Sequence, residues 1–316
     1  MQINQARRRY IRWLLATRDL SPHTIRAYDA DLASFERFLG ANFAAAEIDQ
    51  DAVVSFIEHE KAAKLSPASL RRRAAALRGF CRWMLAQGLL IPDPWSGTNL
   101  ALGRPRRLPR ALPAHELDRL MGFLAGAAGL GAGTEPDTRA VEERPHESTT
   151  LLAVALMITT GIRVNESVSI KCHDIDLPGG ALRLVGKGRR ERQVFLANDW
   201  IANLTSAYID ARTSLGLDHS HLLFNLRYDP LTPPAMRSRL AKATRAAGLG
   251  IHVTPHMLRH TAATQLIEAG VDIRYIQRLL GHASLSTTEI YTHVSDRALH
   301  RVVSDADVLG RFVQAR

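Results

Sequence analysis

The C-terminal third of the chain contains a phenol, two imidazoles and a guanidinium at short sequence separation. They belong to His256, Arg259, His282 and Tyr291. Thr254 followed by Pro255 is typical of an N-cap and a first helical position, so His256 is predicted in the first turn of a helix. The free N–H groups and the positive dipole end of that turn favour an anion, and Arg259 follows on the same helix face. This combination suits attack on a phosphodiester.

Further helix signals place the other two groups. Residues 272–280 predict a helix that stops at Gly281, which puts His282 just past its end. Residues 286–289, Ser-Thr-Thr-Glu, have the pattern of a capping box, which puts Tyr291 about one turn into another helix. A single tyrosine on a helix is usually an ordinary core or surface aromatic, so the ordered co-occurrence of these groups carries the interpretation.

Two earlier segments add further cations. In residues 160–166, Thr-Gly-Ile-Arg-Val-Asn-Glu, Arg163 follows an apolar helical run and Glu166 lies three residues on. In Gly-Lys-Gly at 186–188, Lys187 occupies the tip of a predicted hairpin. Together with the C-terminal groups, these motifs resemble the tyrosine recombinase (phage integrase) family, in particular its Xer-like site-specific recombinases. The resemblance spans most of the chain.

The resemblance implies six catalytic residues and one supporting residue. The catalytic residues are Arg163, Lys187, His256, Arg259, His282 and Tyr291. In the family the tyrosine attacks DNA to give a 3′-phosphotyrosyl enzyme and a free 5′-hydroxyl. The arginines and the second histidine bind the phosphate, and the lysine protonates the departing oxygen. From its position His256 could accept the phenol proton or hold the phosphate, and in the family the first histidine is usually read as the general base. Glu166 is expected to hold Arg163 in place. The implied function is site-specific DNA recombination, as integration, excision or resolution.

Neither a cofactor nor a metal is expected. The energy of the cleaved bond is kept in the phosphotyrosine link, so rejoining requires no ATP, and the sequence contains no Walker loop. No carboxylate cluster with two-metal character accompanies the motifs. His256 and His260 are four residues apart, but the glutamate of a His-Glu-x-x-His zinc motif is absent.

Two alternative functions remain open from the sequence. A type IB topoisomerase-like enzyme would use the same chemistry to relax DNA as a monomer, and a helical N-terminal domain argues against it. A non-catalytic DNA-binding protein of the same fold would not need all six catalytic groups. Supercoil relaxation measured beside recombination between two sites would separate these possibilities.

Positive charge is concentrated in the N-terminal third. The chain has a net charge of +10, and residues 1–110 hold 18 Lys and Arg against 10 Asp and Glu. Such a basic segment indicates a polyanionic partner, most simply double-stranded DNA. The predicted DNA-binding residues are Arg71, Arg72, Arg73, Arg78, Arg82, Arg104, Arg106 and Arg107. The five on the helix could equally form a solvated face.

The fold class predicted is mainly α, with an α+β catalytic domain that contains a small antiparallel sheet. Residues 1–102 read as a helical core-binding domain and 103–113 as an extended basic linker, because three prolines forbid a continuous helix there. Residues 114–316 would form the catalytic domain. Alternating residues predict strands at 182–185 and 192–196.

Periodicity predicts the longer helices and one loop. Beyond the opening helix, helices are expected near 22–39, 51–63, 67–87, 114–124, 149–158, 200–215 and 234–247. Residues 126–148 are rich in Gly, Glu and Pro without periodicity, which predicts a long surface loop or a partly disordered insert of unassigned role.

Composition and the resemblance set expectations for location and assembly. Cys81 and Cys172 are too few for a disulfide framework. No stretch reads as a signal peptide or a membrane span, so a cytoplasmic protein without membrane attachment is expected.

The family implies four protomers that exchange strands between two duplexes through a Holliday junction, alone or with an accessory or partner recombinase. Residues 304–316 would dock onto a neighbouring protomer or cover their own domain.

Overall fold

The computed structural model describes residues 1–98, 111–131, 135–185, 191–281 and 303–307. It is mainly helical with one small antiparallel sheet, which confirms the predicted fold class. The chain divides into two units, Met1–Leu108 and Pro109–Arg316, and this division falls inside the predicted linker.

The N-terminal unit is a four-helix assembly. Its helices are α1 (Ile3–Thr17), α2 (Pro22–Leu39), α3 (Gln50–Ala62) and α4 (Pro67–Ala86). Ser21 and Ser66 cap α2 and α4 by accepting a hydrogen bond from a backbone N–H in the first turn, and each is followed by proline. Phe35, Phe56 and Phe80 are almost fully buried in the core between the helices. The four predicted helices are confirmed.

The C-terminal unit combines helices with the sheet. Its helices are α5 (Ala114–Ala127), α6 (Thr138–Glu143), α7 (Pro145–Thr160), α8 (Val164–Ser169), α9 (Asp199–Ser214), α10 (Pro233–Ala246), α11 (Pro255–Glu268) and α12 (Ile273–Leu280). The strands are β1 (Ile175–Asp176), β2 (Ala181–Val185) and β3 (Glu191–Phe195), in the order β1-β2-β3. All pairings are antiparallel, and Leu182 lies opposite Val194. The two predicted strands are thus confirmed.

Helix α7 forms the centre of this unit. Every residue from Ser148 to Thr160 is buried, and α7 packs against α5, α9 and α11. A helix that is buried on every side must be surrounded by other elements of the core. Gly161 ends α7 in the left-handed conformation, with φ of +65°. The C-terminal end of α7 is therefore fixed inside the unit.

The loop predicted for residues 126–148 is wrong over its second half. Asp137 caps α6 by accepting the N–H of Ala140 at 2.7 Å, and Pro145 starts α7. Val141 is buried, and α6 packs against α9. A six-residue helix has too few turns to show periodicity, and the first turn of α7 is polar, so a pattern search finds neither. The short α8 and β1 were not predicted, for the same reason.

The described residues bear on three further expectations: membrane attachment, metal binding and the position of the C-terminal segment. Among the described helices, none is long and apolar enough to cross a membrane. The described side chains contain no group of three or more His, Cys, Asp and Glu that could hold a metal ion. Val303 is buried in the core of the C-terminal unit, and Asn198 donates a hydrogen bond to Asp307 at 2.6 Å. The described part of the C-terminal segment therefore lies on its own unit.

Candidate active site

Arg163 and Glu166 are held together at the start of α8. The backbone N–H of Arg163 donates to Oε2 of Glu166 at 2.7 Å, and Nη1 of Arg163 donates to Oε1 at 3.0 Å. The carboxylate thus satisfies a free N–H of the first helical turn and one donor of the guanidinium. The Arg163 side chain remains 46% exposed. That Glu166 orients Arg163 for a reaction remains a prediction.

Arg259 reaches the same place from α11. Thr254 caps α11 by accepting the N–H of Met257 at 3.2 Å, as its sequence predicts. The buried guanidinium of Arg259 then donates to the carbonyl oxygens of Gly161 and Leu280, both at 2.6 Å. It thereby joins the C-terminal end of α7 to that of α12.

The close approach of these helix ends depends on Gly161. A Cβ at this position would overlap Cδ2 of Leu280, and the φ of +65° also disfavours any residue with a side chain. Glycine at position 161 therefore allows α12 to approach the carbonyl group that Arg259 binds.

Arg192, on β3, is a member of the cluster that the sequence interpretation missed. Its Nη1 and Nη2 donate to Oε1 and Oε2 of Glu166, both at 2.8 Å, and its Nε donates to the carbonyl of Leu279 at 3.0 Å. Its side chain is only 12% exposed. A signal for it exists in the sequence: strand alternation places Arg192 on the same face as Val194, which is fully buried.

Burial and the charges of the cluster together shift two pKa values. Burial alone would raise the pKa of Glu166, but hydrogen bonds from Arg192 and from the Arg163 N–H, together with both positive charges, lower it to about 2. Burial, followed by repulsion from Arg163, lowers the pKa of Arg259 to about 10, although the Glu166 charge opposes this shift. Arg259 stays cationic at neutral pH. It repels Arg163 and Arg192 electrostatically, and the charge of Glu166, which hydrogen-bonds to those two arginines, only partly offsets this repulsion. A phosphate would relieve their mutual repulsion.

His256 lies beside this cluster along the chain. It is an exposed residue of the first turn of α11, three positions before Arg259. The structure therefore brings together Arg163, Glu166 and Arg259, and places His256 on the helix that carries Arg259. Lys187, His282 and Tyr291 lie outside the described residues, as do Arg104, Arg106 and Arg107 of the linker.

The predicted DNA-binding arginines of α4 fall into two groups. Arg72 pairs with the buried Asp31 at 2.5 Å, and Arg73 pairs with Asp31 at 3.4 Å and with Glu60. Burial raises the pKa of Asp31, although both arginines lower it. Arg78 and Arg82 are exposed, and Arg78 stacks on the ring of Trp95 at 4.6 Å. Arg71 is half-buried. Their contacts with DNA remain a prediction.

Comparison with known sequences assigns the family. The Phage integrase family matches residues 135–298, and the phage integrase N-terminal SAM-like domain matches residues 8–88. A tyrosine recombinase XerC of Listeria innocua is 33% identical, over 94% of this chain and 96% of the relative. A tyrosine recombinase XerC of Escherichia coli O139:H28 is 31% identical, over 94% of each. The chain belongs to the phage integrase family of tyrosine recombinases.

Solved structures share the fold. A lambda integrase dimer bound to a COC′ core site superposes with a TM-score of 0.68 at 21% identity, over 92% of this chain and all of that one. XerH bound to palindromic difH substrate gives 0.66 at 25% identity, over 89% of this chain and 79% of that one. The helical N-terminal unit and the mainly helical catalytic unit are thus a known combination.

Proposed function

We propose that the protein is a site-specific DNA recombinase that cleaves and rejoins strands through a 3′-phosphotyrosyl intermediate. The observation that carries the proposal is the convergence of Arg163 and Arg259 where α7, α8, α11 and α12 meet. Arg163 donates to the carbonyl of Gly281, 118 positions away, and Arg259 donates to that of Leu280, 21 positions away. These contacts fix the geometry of the cationic centre before substrate arrives. Such preorganised donors are what a phosphoryl transition state requires.

The two arginines would bind the oxygens of the scissile phosphate. A guanidinium carries five N–H donors, and two of those on Arg259 are used by carbonyl groups that fix its plane. Others would donate to the phosphate, as would the more exposed Arg163. As the phenol oxygen bonds to phosphorus, negative charge on the oxygens grows, and these donors stabilise it.

Four further groups complete the proposed reaction. The Tyr291 phenol attacks phosphorus, His256 accepts its proton, and His282 adds a donor to the phosphate. The bond from phosphorus to the 5′-oxygen breaks, and Lys187 supplies the proton that makes this oxygen a hydroxyl. Rejoining is the reverse reaction with a 5′-hydroxyl of another strand, and it consumes the tyrosyl ester without a cofactor.

Double-stranded DNA is the proposed substrate. The protein would act in the cytoplasm, and its active assembly would contain four protomers. XerH, whose fold this chain shares at 25% identity, was solved on its difH substrate. Each protomer has one proposed nucleophile, whereas exchange between two duplexes requires four strands to be cut. A tetramer that cuts two strands at a time satisfies this count. Relaxation by a monomer is less favoured, because the N-terminal unit matches the integrase SAM-like domain.

Covalent trapping tests the nucleophile. A duplex nicked beside the cleavage point loses a short 5′-hydroxyl fragment after cleavage, so the protein–DNA ester accumulates. We expect mass spectrometry to find the nucleotide on the peptide that contains Tyr291, and Tyr291→Phe to trap none while it binds DNA normally. Tyr275→Phe is the matched control, since Tyr275 is a half-buried phenol of α12 that packs on the core. Undiminished trapping by Tyr291→Phe would contradict the mechanism.

A further inference from the structure

We propose that Arg192 is a positioning residue of the active centre, which holds Glu166 and the C-terminal end of α12 so that Arg163 is oriented for the reaction. The inference rests on the proposed function of that site. It concerns an arginine outside the six expected catalytic residues, on the strand that follows the predicted hairpin tip. Three contacts of its side chain carry the argument.

The first two contacts fix Glu166. Arg192 binds its carboxylate with two parallel hydrogen bonds of 2.8 Å, the arrangement that gives an arginine–carboxylate pair its directional strength. The same two oxygens accept from the side chain and the backbone N–H of Arg163. Four donors therefore share one carboxylate. Because Arg192 fixes the plane of the carboxylate, it fixes the direction in which Arg163 is held.

The third contact fixes the end of α12. Three successive carbonyl oxygens, those of Leu279, Leu280 and Gly281, each accept from a different guanidinium. The donors are Arg192, Arg259 and Arg163 respectively. The last carbonyls of a helix lack partners within it and lie at its negative dipole end, so they favour cations.

The backbone of Gly281 lies directly against Arg192. A Cβ built there would approach Cδ and Nε of Arg192 to 3.1 Å, and the φ of Gly281 is +62°. The strand thus packs on the turn that leads to His282.

Arg192 therefore couples three elements that lie next to proposed catalytic residues in the chain. It belongs to β3, which follows Lys187 in the sequence. It orients Arg163 at the start of α8 through Glu166, and it anchors the end of α12, which precedes His282 in the sequence. Loss of Arg192 would leave Arg163 as the sole described hydrogen-bond donor to Glu166, so the carboxylate would pull that guanidinium away from the phosphate. We expect a defect in the cleavage step rather than in DNA binding.

Single-turnover cleavage of the nicked duplex tests this role. Arg192→Ala should bind the duplex with a Kd within about threefold of the unaltered protein but cleave on the order of a hundredfold more slowly, the loss typical of misplaced groups. Arg192→Lys keeps the charge without the paired hydrogen bonds and should recover only part of the rate. The matched control is Arg183→Ala, because Arg183 lies on the neighbouring strand β2, is 52% exposed and pairs with Asp174 at 3.1 Å. It should cleave normally.

A double-mutant cycle separates positioning from a general structural role. If Arg192 acts through Glu166, Arg192→Ala should slow cleavage much less in a Glu166→Gln background than alone. The double variant also lacks the buried charge that Arg192→Ala would leave behind, so we expect it to fold even if the single variant does not. The inference would be overturned if the rate loss of the double variant equalled the product of the two single losses. It would also be overturned if Arg192→Ala and Arg183→Ala cleaved at equal rates. If the unaltered protein and Arg183→Ala trap no DNA, the proposed function itself fails.

Discussion

At the scale of single residues, Glu166 shows how a buried charge is retained. Its side chain is only 9% exposed, and burial would favour the neutral acid. The hydrogen bonds and charges of Arg192 and Arg163 overcome this and lower its pKa from 4.5 to about 2. A folded-state pKa below the unfolded value contributes stability above about pH 4.5, which is lost as the pH falls towards 2. The shift corresponds to about 3 kcal/mol.

This linkage predicts the acid behaviour of one variant. We expect the free energy of unfolding of the unaltered protein, measured by urea titration, to fall more steeply between pH 4.5 and 2.5 than that of Glu166→Gln, which has no carboxylate to protonate at this position. Glu143→Gln is the control, because Glu143 is 61% exposed in a surface ion pair worth little. Parallel curves for Glu166→Gln and the unaltered protein would show that the carboxylate is not held as described.

At the scale of elements, the approach of α12 to the end of α7 can be tested at Gly161. Alanine there must adopt a φ of +65° and also displace Leu280, whereas alanine at Gly248 meets only the φ of +68° with open space around it. The conformational cost alone is about 1 kcal/mol. We expect Gly161→Ala to lower the free energy of unfolding by clearly more than Gly248→Ala and to slow cleavage. Equal losses would mean that α12 moves away without cost.

In helix α4, some arginines are expected to support stability and others to support DNA binding. Arg73→Ala would leave Glu60 and part of Asp31 buried without their cation, which costs on the order of 3 kcal/mol. Arg82→Ala alters an exposed side chain, so stability should change by less than about 0.5 kcal/mol. If Arg82 contacts a phosphate, its loss should flatten the log–log salt dependence of DNA affinity by about 0.9. Urea unfolding and fluorescence anisotropy measure the two effects, and a stability loss in Arg82→Ala would contradict this division.

The elements also show what the sequence could predict. Helices whose caps are explicit were predicted closely, as with Ser21 before α2 and Thr254 before α11. Local hydrogen bonding sets these boundaries, so local patterns reveal them. The partnership of Glu166 with Arg192 depends on residues 26 positions apart, and the carbonyl groups that Arg259 binds are set by tertiary packing. Sequence motifs therefore identify the expected catalytic residues more readily than the residues that orient them.

At the scale of the whole molecule, the distribution of charge predicts which segment neutralises most DNA phosphates. Residues 1–110 carry 18 Lys and Arg against 10 Asp and Glu, and four of these arginines, with no acidic residue, fall within 103–110. Half of the N-terminal excess charge therefore lies in a segment of eight residues. In α4, by contrast, Arg72 and Arg73 are already paired with carboxylates. The linker should contribute more to phosphate neutralisation per residue than the helical bundle.

Replacing Arg104, Arg106 and Arg107 with alanine tests this expectation in the full chain. Each phosphate contact adds about 0.9 to the slope of log affinity against log salt, so the triple variant should lose up to about 2.7 on a duplex of arbitrary sequence. Arg139, Arg227 and Arg245, exposed residues of the C-terminal unit, provide a control of equal charge when changed to alanine. Because phosphate contacts carry no sequence information, the loss should be similar on every duplex tested. A slope reduced no more than in the control would show that the linker arginines do not neutralise phosphates, and that the excess charge acts only as a diffuse field.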